Sequence, residues 1–71
     1  MLEKYLQEIG LSDKEASVYL DLLNSGDSSA SEIAKNTKIK RPTIYTVLES
    51  LSKKGLVSEA TKGTKTNYQA E

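Results

Sequence analysis

Two Ser-x-x-Glu boxes constrain this chain more than any other feature: Ser12-Asp13-Lys14-Glu15 and Ser29-Ala30-Ser31-Glu32. In such a box the serine hydroxyl accepts a free backbone N–H of the first helical turn. The glutamate carboxylate reaches back to the serine's own N–H. Helix starts are therefore expected just after Ser12 and just after Ser29, with Asn24-Ser25-Gly26 closing the first of these helices. A third start lies at Arg41-Pro42, since proline in a first turn lacks only an N–H that has no intrahelical partner.

Hydrophobic spacing fills the segments between these signals. Leu2, Tyr5, Leu6 and Ile9 recur at i, i+3, i+4, i+7, a narrow stripe on a leading helix that Gly10 ends. Leu11 is placed for a hydrophobic staple onto Ala16. Ala16, Tyr19, Leu20 and Leu23 form the next stripe, and Val18 and Leu22 widen it, as expected of a central helix packed on more than one side. Ile33, Ala34 and Thr37 should face inward from a short helix, with a stub of β-strand between Gly26 and Ser29 before it. After a turn through Lys38 and Ile39, Ile44, Val47, Leu48 and Leu51 repeat the helical spacing over residues 41–54. Gly55 occupies a left-handed cap position, and Leu56 can fold back on Leu51. The period then changes to two: Leu56–Ala60 and Thr66–Ala70 read as short strands around a loop of residues 61–65 that contains Gly63. Residues 1–71 are expected to form one domain, mainly α with a small β-hairpin: a winged helix-turn-helix.

Several chemistries are disfavoured by what the chain lacks. It contains no cysteine and no histidine, so it has no disulfide or thiolate metal site and lacks the commonest general base and metal ligand. No glycine-rich phosphate loop is present, and Asp13 and Glu15 are better explained as helix-start charges than as a catalytic pair. Neither an enzyme nor a bound metal or cofactor is expected. No stretch approaches the roughly 20 apolar residues of a membrane span. The expectation is a cytoplasmic, nucleoid-associated protein without a membrane partner.

The formal net charge of zero conceals a strong asymmetry. Residues 1–34 carry two lysines against seven acids, whereas residues 35–65 carry eight basic groups against Glu49 and Glu59. The second half therefore suits nucleic acid. In a helix-turn-helix the second helix enters the major groove of double-stranded DNA with its N-terminal residues nearest the bases. Lys38, Lys40, Arg41, Pro42, Thr43, Tyr45, Thr46 and Lys53 are the candidates from that helix and the turn before it. Arg41 can present its planar fork to guanine or to phosphate. The two threonines offer hydroxyls and methyls, and Tyr45 a phenol. Lys62, Gly63, Thr64 and Lys65 at the hairpin tip fit a wing laid on the backbone or in the minor groove. Blander roles exist for each: Tyr45 as a core aromatic, the threonines as ordinary surface residues, and the hairpin lysines as guards against edge pairing. Tyr5, Tyr19 and Tyr68 read as core or interface residues. The stripe of Leu2, Tyr5, Leu6 and Ile9 is the candidate surface for a homodimer.

The stretches Gly10-Leu11-Ser12, Glu15-Ala16, Val18-Tyr19, Leu22-Leu23, Ser31-Glu32-Ile33-Ala34, Arg41-Pro42-Thr43-Ile44-Tyr45, Leu48-Glu49 and Lys54-Gly55-Leu56-Val57, in this order, carry a resemblance. The run from Ile9 to Leu56 resembles the N-terminal DNA-binding domain of the TrmB-like transcription regulators, found mostly in archaea. The resemblance implies sequence-specific operator binding, usually by a dimer, with Arg41–Thr46 reading the groove. Regulators of that family typically continue into a dimerisation helix and a sugar-sensing domain, neither of which falls within these 71 residues, so no small-molecule effector site is expected here. The rival readings are a winged helix used for protein–protein contact and an RNA binder. The second lacks aromatic residues interleaved with the basic ones.

Overall fold

Both serine boxes close in the way the sequence implies. Ser12 Oγ accepts the Glu15 N–H at 3.2 Å, and Glu15 Oε1 accepts the Ser12 N–H at 2.9 Å. Ser29 and Glu32 repeat the two bonds at 3.2 and 2.9 Å. The computed structural model describes Glu8 and residues 10–71, the side chain of Lys62 excepted. The stripe of Leu2, Tyr5, Leu6 and Ile9 lies outside the described residues. Among the described residues the elements from Asp13 onward are α1 (Asp13–Ser25), β1 (Ser28–Ser29), α2 (Ala30–Thr37), α3 (Arg41–Lys53), β2 (Val57–Lys62) and β3 (Lys65–Ala70).

Helices α1, α2 and α3 pack on one another around Leu22, Ile33, Ile44, Leu48 and Leu51, all fully buried, and a small antiparallel sheet in the order β1-β3-β2 closes one side. Helices α2 and α3, joined by a three-residue turn, form the helix-turn-helix, and β2-β3 form the wing. The α3 terminus is a complete Schellman motif. The Leu56 N–H bonds Leu51 O and the Gly55 N–H bonds Ser52 O, both at 3.0 Å, with Gly55 at φ 76°.

Two expectations change. The inward face of α1 is rotated from the stripe of Ala16, Tyr19, Leu20 and Leu23. Ala16, Val18 and Leu22 are buried together with Glu15, Tyr19 and Leu20 are half-buried, and Leu23 is 50% exposed. Apolar spacing includes the exposed Leu23 in this face and passes over a charged residue, Glu15, which occupies one of its inward positions. The hairpin loop is also shorter than 61–65. The strands run on to the register pair Lys62↔Lys65, and only Gly63 and Thr64 form the turn. Thr61 and Thr66 are good strand formers whose hydroxyls meet at 3.3 Å, and Gly63 at φ 63° supplies the left-handed first residue that a two-residue hairpin turn needs.

Candidate nucleic-acid interface

The start of α3 differs from the starts of α1 and α2. Its N-cap is Lys40, which makes no side-chain capping bond. The N–H groups of Arg41 and Thr43 therefore stand at a helix N-terminus that carries partial positive charge, and the side chains around it are cationic. Lys38, Lys40 and Arg41 are all exposed. Lys38 adopts φ 61°, a left-handed conformation that ends α2 and turns the chain toward α3.

Along α3, the buried face of Ile44, Val47, Leu48 and Leu51 fixes what remains outside. Pro42 and Thr46 are exposed, Thr43 is half-buried, and Tyr45 is 47% exposed, so the tyrosine is not a core aromatic. The Thr46 hydroxyl donates back to Pro42 O at 3.4 Å. Toward the far end, Lys53 pairs with Glu49 at 3.4 Å on the open surface. Glu49, the one acid on this helix, thus lies beside a lysine of its own helix.

The fold brings part of the expected set together. A groove of about 660 Å³ is lined by Arg41 and Tyr45 from α3, by Thr64 and Lys65 from the wing, by Ser29–Glu32 at the start of α2, and by Thr66, Asn67 and Tyr68 of β3. Lys38, Lys40, Pro42, Thr43, Thr46 and Lys53 are not among its walls. Lys53 instead borders an adjoining groove of about 400 Å³ with Glu49, Glu59, Tyr45 and Tyr68. Of Lys62 only the backbone position, opposite Lys65, is described.

Sequence reading missed the contribution of β3 and of the start of α2 to this groove. Tyr68, read as a core or interface residue, is half-buried and lines both grooves. Burial raises its hydroxyl pKa, and the nearby Glu59 and Tyr45 push it the same way, so the phenol stays protonated. Asn67 donates to Asp27 at 3.3 Å, which ties β3 to the approach to α2. Glu32 is held below its ordinary pKa by the Ser29 N–H, then by the Ser29 hydroxyl, with Lys65 adding a smaller attraction. No local signal points to these residues, because they reach the groove through the pairing of Ser28 with Tyr68 and Ser29 with Asn67, residues far apart in sequence.

A second polar cluster lies away from the groove. Glu15 Oε2 accepts the Ser50 hydroxyl at 2.6 Å and the Lys54 ammonium at 2.9 Å. Burial would raise the Glu15 pKa. The Ser12 N–H, the Ser50 hydroxyl and Lys54 outweigh it, and bring the pKa from its ordinary 4.5 to about 2. Lys54, counted with the basic half of the sequence, therefore has its charge answered inside the protein. Among the described residues no group of three or more acids could hold a metal ion, and no helix is long and apolar enough to cross a membrane.

Comparison with known proteins agrees with this architecture. The family model of the sugar-specific transcriptional regulator TrmB matches residues 6–70. The HTH-type sugar sensing transcriptional regulator TrmBL1 of Pyrococcus furiosus is 44% identical over 52 residues, covering 73% of this chain and 15% of its own. The uncharacterized protein MJ1082 of Methanocaldococcus jannaschii is 38% identical over 61 residues, covering 86% of this chain and 51% of its own. Among solved structures, that of TrmBL2, an archaeal chromatin protein with a novel mode of DNA binding, superposes with a TM-score of 0.86 at 31% identity, over 97% of this chain and 26% of that one. The chain thus spans about half or less of the length of these relatives.

Proposed function

The chain belongs to the TrmB family of sugar-specific transcriptional regulators, and from that premise we propose that it reads double-stranded DNA in a sequence-specific way, with α3 in the major groove and the β2-β3 wing on the backbone or in the minor groove. One observation carries the reading. Arg41 and Tyr45 of α3 and Thr64 and Lys65 of the wing, distant in sequence, open onto the same groove.

Physical chemistry supports each half of it. The α3 N-terminus offers free N–H groups and the helix dipole, and Lys38, Lys40 and Arg41 surround it. Arg41 can grip guanine or phosphate bidentately, while Thr43, Tyr45 and Thr46 supply hydroxyls along the exposed side of the same helix. At the wing tip, Lys62 and Lys65 are register partners. Like charges opposite one another weaken a hairpin, and a phosphate beside them removes that cost. That TrmBL2 binds DNA supports the same role for this chain, on chromosomal DNA inside the cell.

The family relatives are regulators of transcription, and the role proposed is binding rather than catalysis. The chain acts as a homodimer, with Leu2, Tyr5, Leu6 and Ile9 as the pairing stripe. Leu23, half-exposed on α1, supports an apolar surface beyond the core.

Selection of bound sequences from a random duplex pool tests the proposal. Enrichment of a half-site repeated at about 10–10.5 base pairs, one helical turn, is expected of the dimer. A pool that stays random after repeated rounds contradicts sequence-specific reading.

A further inference from the structure

We propose that Glu15 is a positioning residue for DNA recognition: through Ser50 and Lys54 it pins the C-terminal turn of α3 to the start of α1, and so aims Arg41 at the other end of the same helix. The inference rests on the DNA-reading role proposed above.

The chain carries its own comparison. Glu15 and Glu32 occupy the same position in identical capping boxes, with equal bond lengths to their serines. Glu32 is exposed, and its hydrogen bonds stay within its own box. Glu15 is 8% exposed and uses its second oxygen on residues 35 and 39 positions away. A capping box needs only one carboxylate oxygen. The burial of Glu15 and its second pair of bonds therefore serve something other than the cap, and what they join is the end of the recognition helix.

Geometry says why that end matters. Ile44, Val47, Leu48 and Leu51 hold α3 by apolar burial, which is non-directional and tolerates small rotations. The bonds to Glu15 are directional and fix the helix against turning or tilting at Ser50 and Lys54. Thirteen residues separate the two ends of α3 inclusively, so at 1.5 Å per residue the helix is about 20 Å long, and a tilt of about 5° at one end moves the other by roughly 2 Å. Hydrogen bonds to base edges form within a window of only about 0.5 Å. A clamp at Glu15 is thus far from the DNA and still able to decide whether Arg41 meets its partner.

Ser50→Ala removes one bond of the clamp and Lys54→Gln removes its charged donor, and both leave the Ser12–Glu15 box whole. Duplex affinity is measured across a range of salt concentrations, alongside thermal unfolding. Both variants are expected to remain folded at 25 °C with a lower Tm. Their affinity should fall about five- to tenfold, roughly 1–1.4 kcal/mol, with the log–log salt slope of the unsubstituted protein retained. Lys54→Arg, which still offers Oε2 a charged donor, should keep most of the affinity. A slope smaller by about 0.9 in Lys54→Gln would make Lys54 a phosphate contact and overturn the clamp. A lowered Tm with unchanged affinity in both variants would reduce Glu15 to a stabilising role and overturn it equally. Failure of the unsubstituted protein to bind any duplex overturns the DNA-reading proposal and the clamp together, whereas firm binding with indifferent variants overturns the clamp alone.

Discussion

Arg41 stands at the first position of α3, exposed, between an uncapped helix start and the groove shared with the wing. If its fork meets a guanine, Arg41→Ala should cost about 1–3 kcal/mol of specific binding and relax the preference at one base pair. A uniform loss over all sequences would make it a phosphate clamp, and no loss would remove it from the interface. Glu15 permits a prediction that needs no DNA. Its pKa is depressed to about 2 in the folded state against an ordinary 4.5, so its contribution is complete above the unfolded value and is lost as pH falls toward the folded one. The amount is up to about 3 kcal/mol. Unfolding midpoints measured from pH 6 down to pH 2 should fall through the 4.5-to-2 window, and Glu15→Gln should flatten that part of the curve while lowering stability at pH 6. A curve that Glu15→Gln leaves unchanged would show that the carboxylate is not specially held.

At the scale of elements, helix starts were more legible than helix faces. The two serine boxes and Pro42 place the beginnings of α1, α2 and α3 correctly, because capping is local chemistry between residues three apart. On α1 periodicity finds Ala16, Val18 and Leu22, but it includes Leu23, which is exposed, and passes over Glu15, an inward residue that is not apolar. Its partners Ser50 and Lys54 are on another helix, and no local rule could point to them. The hairpin was found but its turn was read as too long, since a lysine-rich stretch looks like loop until Thr61 and Thr66 are paired across it. Of the residues that line the groove, Arg41 and Tyr45 on α3 and Thr64 and Lys65 at the wing tip are legible in the sequence as candidates. Ser29–Glu32 and Thr66–Tyr68, which reach the groove only through the β1-β3 pairing, are not. The wing carries its own test: replacing Lys62 and Lys65 by alanine should weaken binding to every sequence about equally and shrink the salt slope by roughly 0.9 per lysine. An unchanged slope would mean that the hairpin stays off the DNA.

The molecule as a whole segregates its charge, with acids before residue 35 and bases between 35 and 65. The fold pairs Lys54 with Glu15 and Lys53 with Glu49, while Lys38, Lys40, Arg41 and Lys65, near the start of α3 and in the wing, are exposed. Pairing of two copies would place two α3 helices in successive major grooves, about 34–36 Å apart. Sedimentation should show a dimer at micromolar concentration, and Leu2→Asp with Leu6→Asp should give a folded monomer. A monomer at high micromolar concentration, or unfolding of that variant, would assign the stripe to the monomer instead. The central claim, that this surface is built for the DNA backbone and bases, is tested most directly by titrating a selected duplex and a scrambled one at 50 and 200 mM salt. Tighter binding of the selected duplex is expected at both, with affinity falling about a hundredfold or more between the two concentrations, as neutralisation of four or more phosphates requires. Equal affinity for both duplexes, or binding that salt leaves unchanged, would contradict that claim.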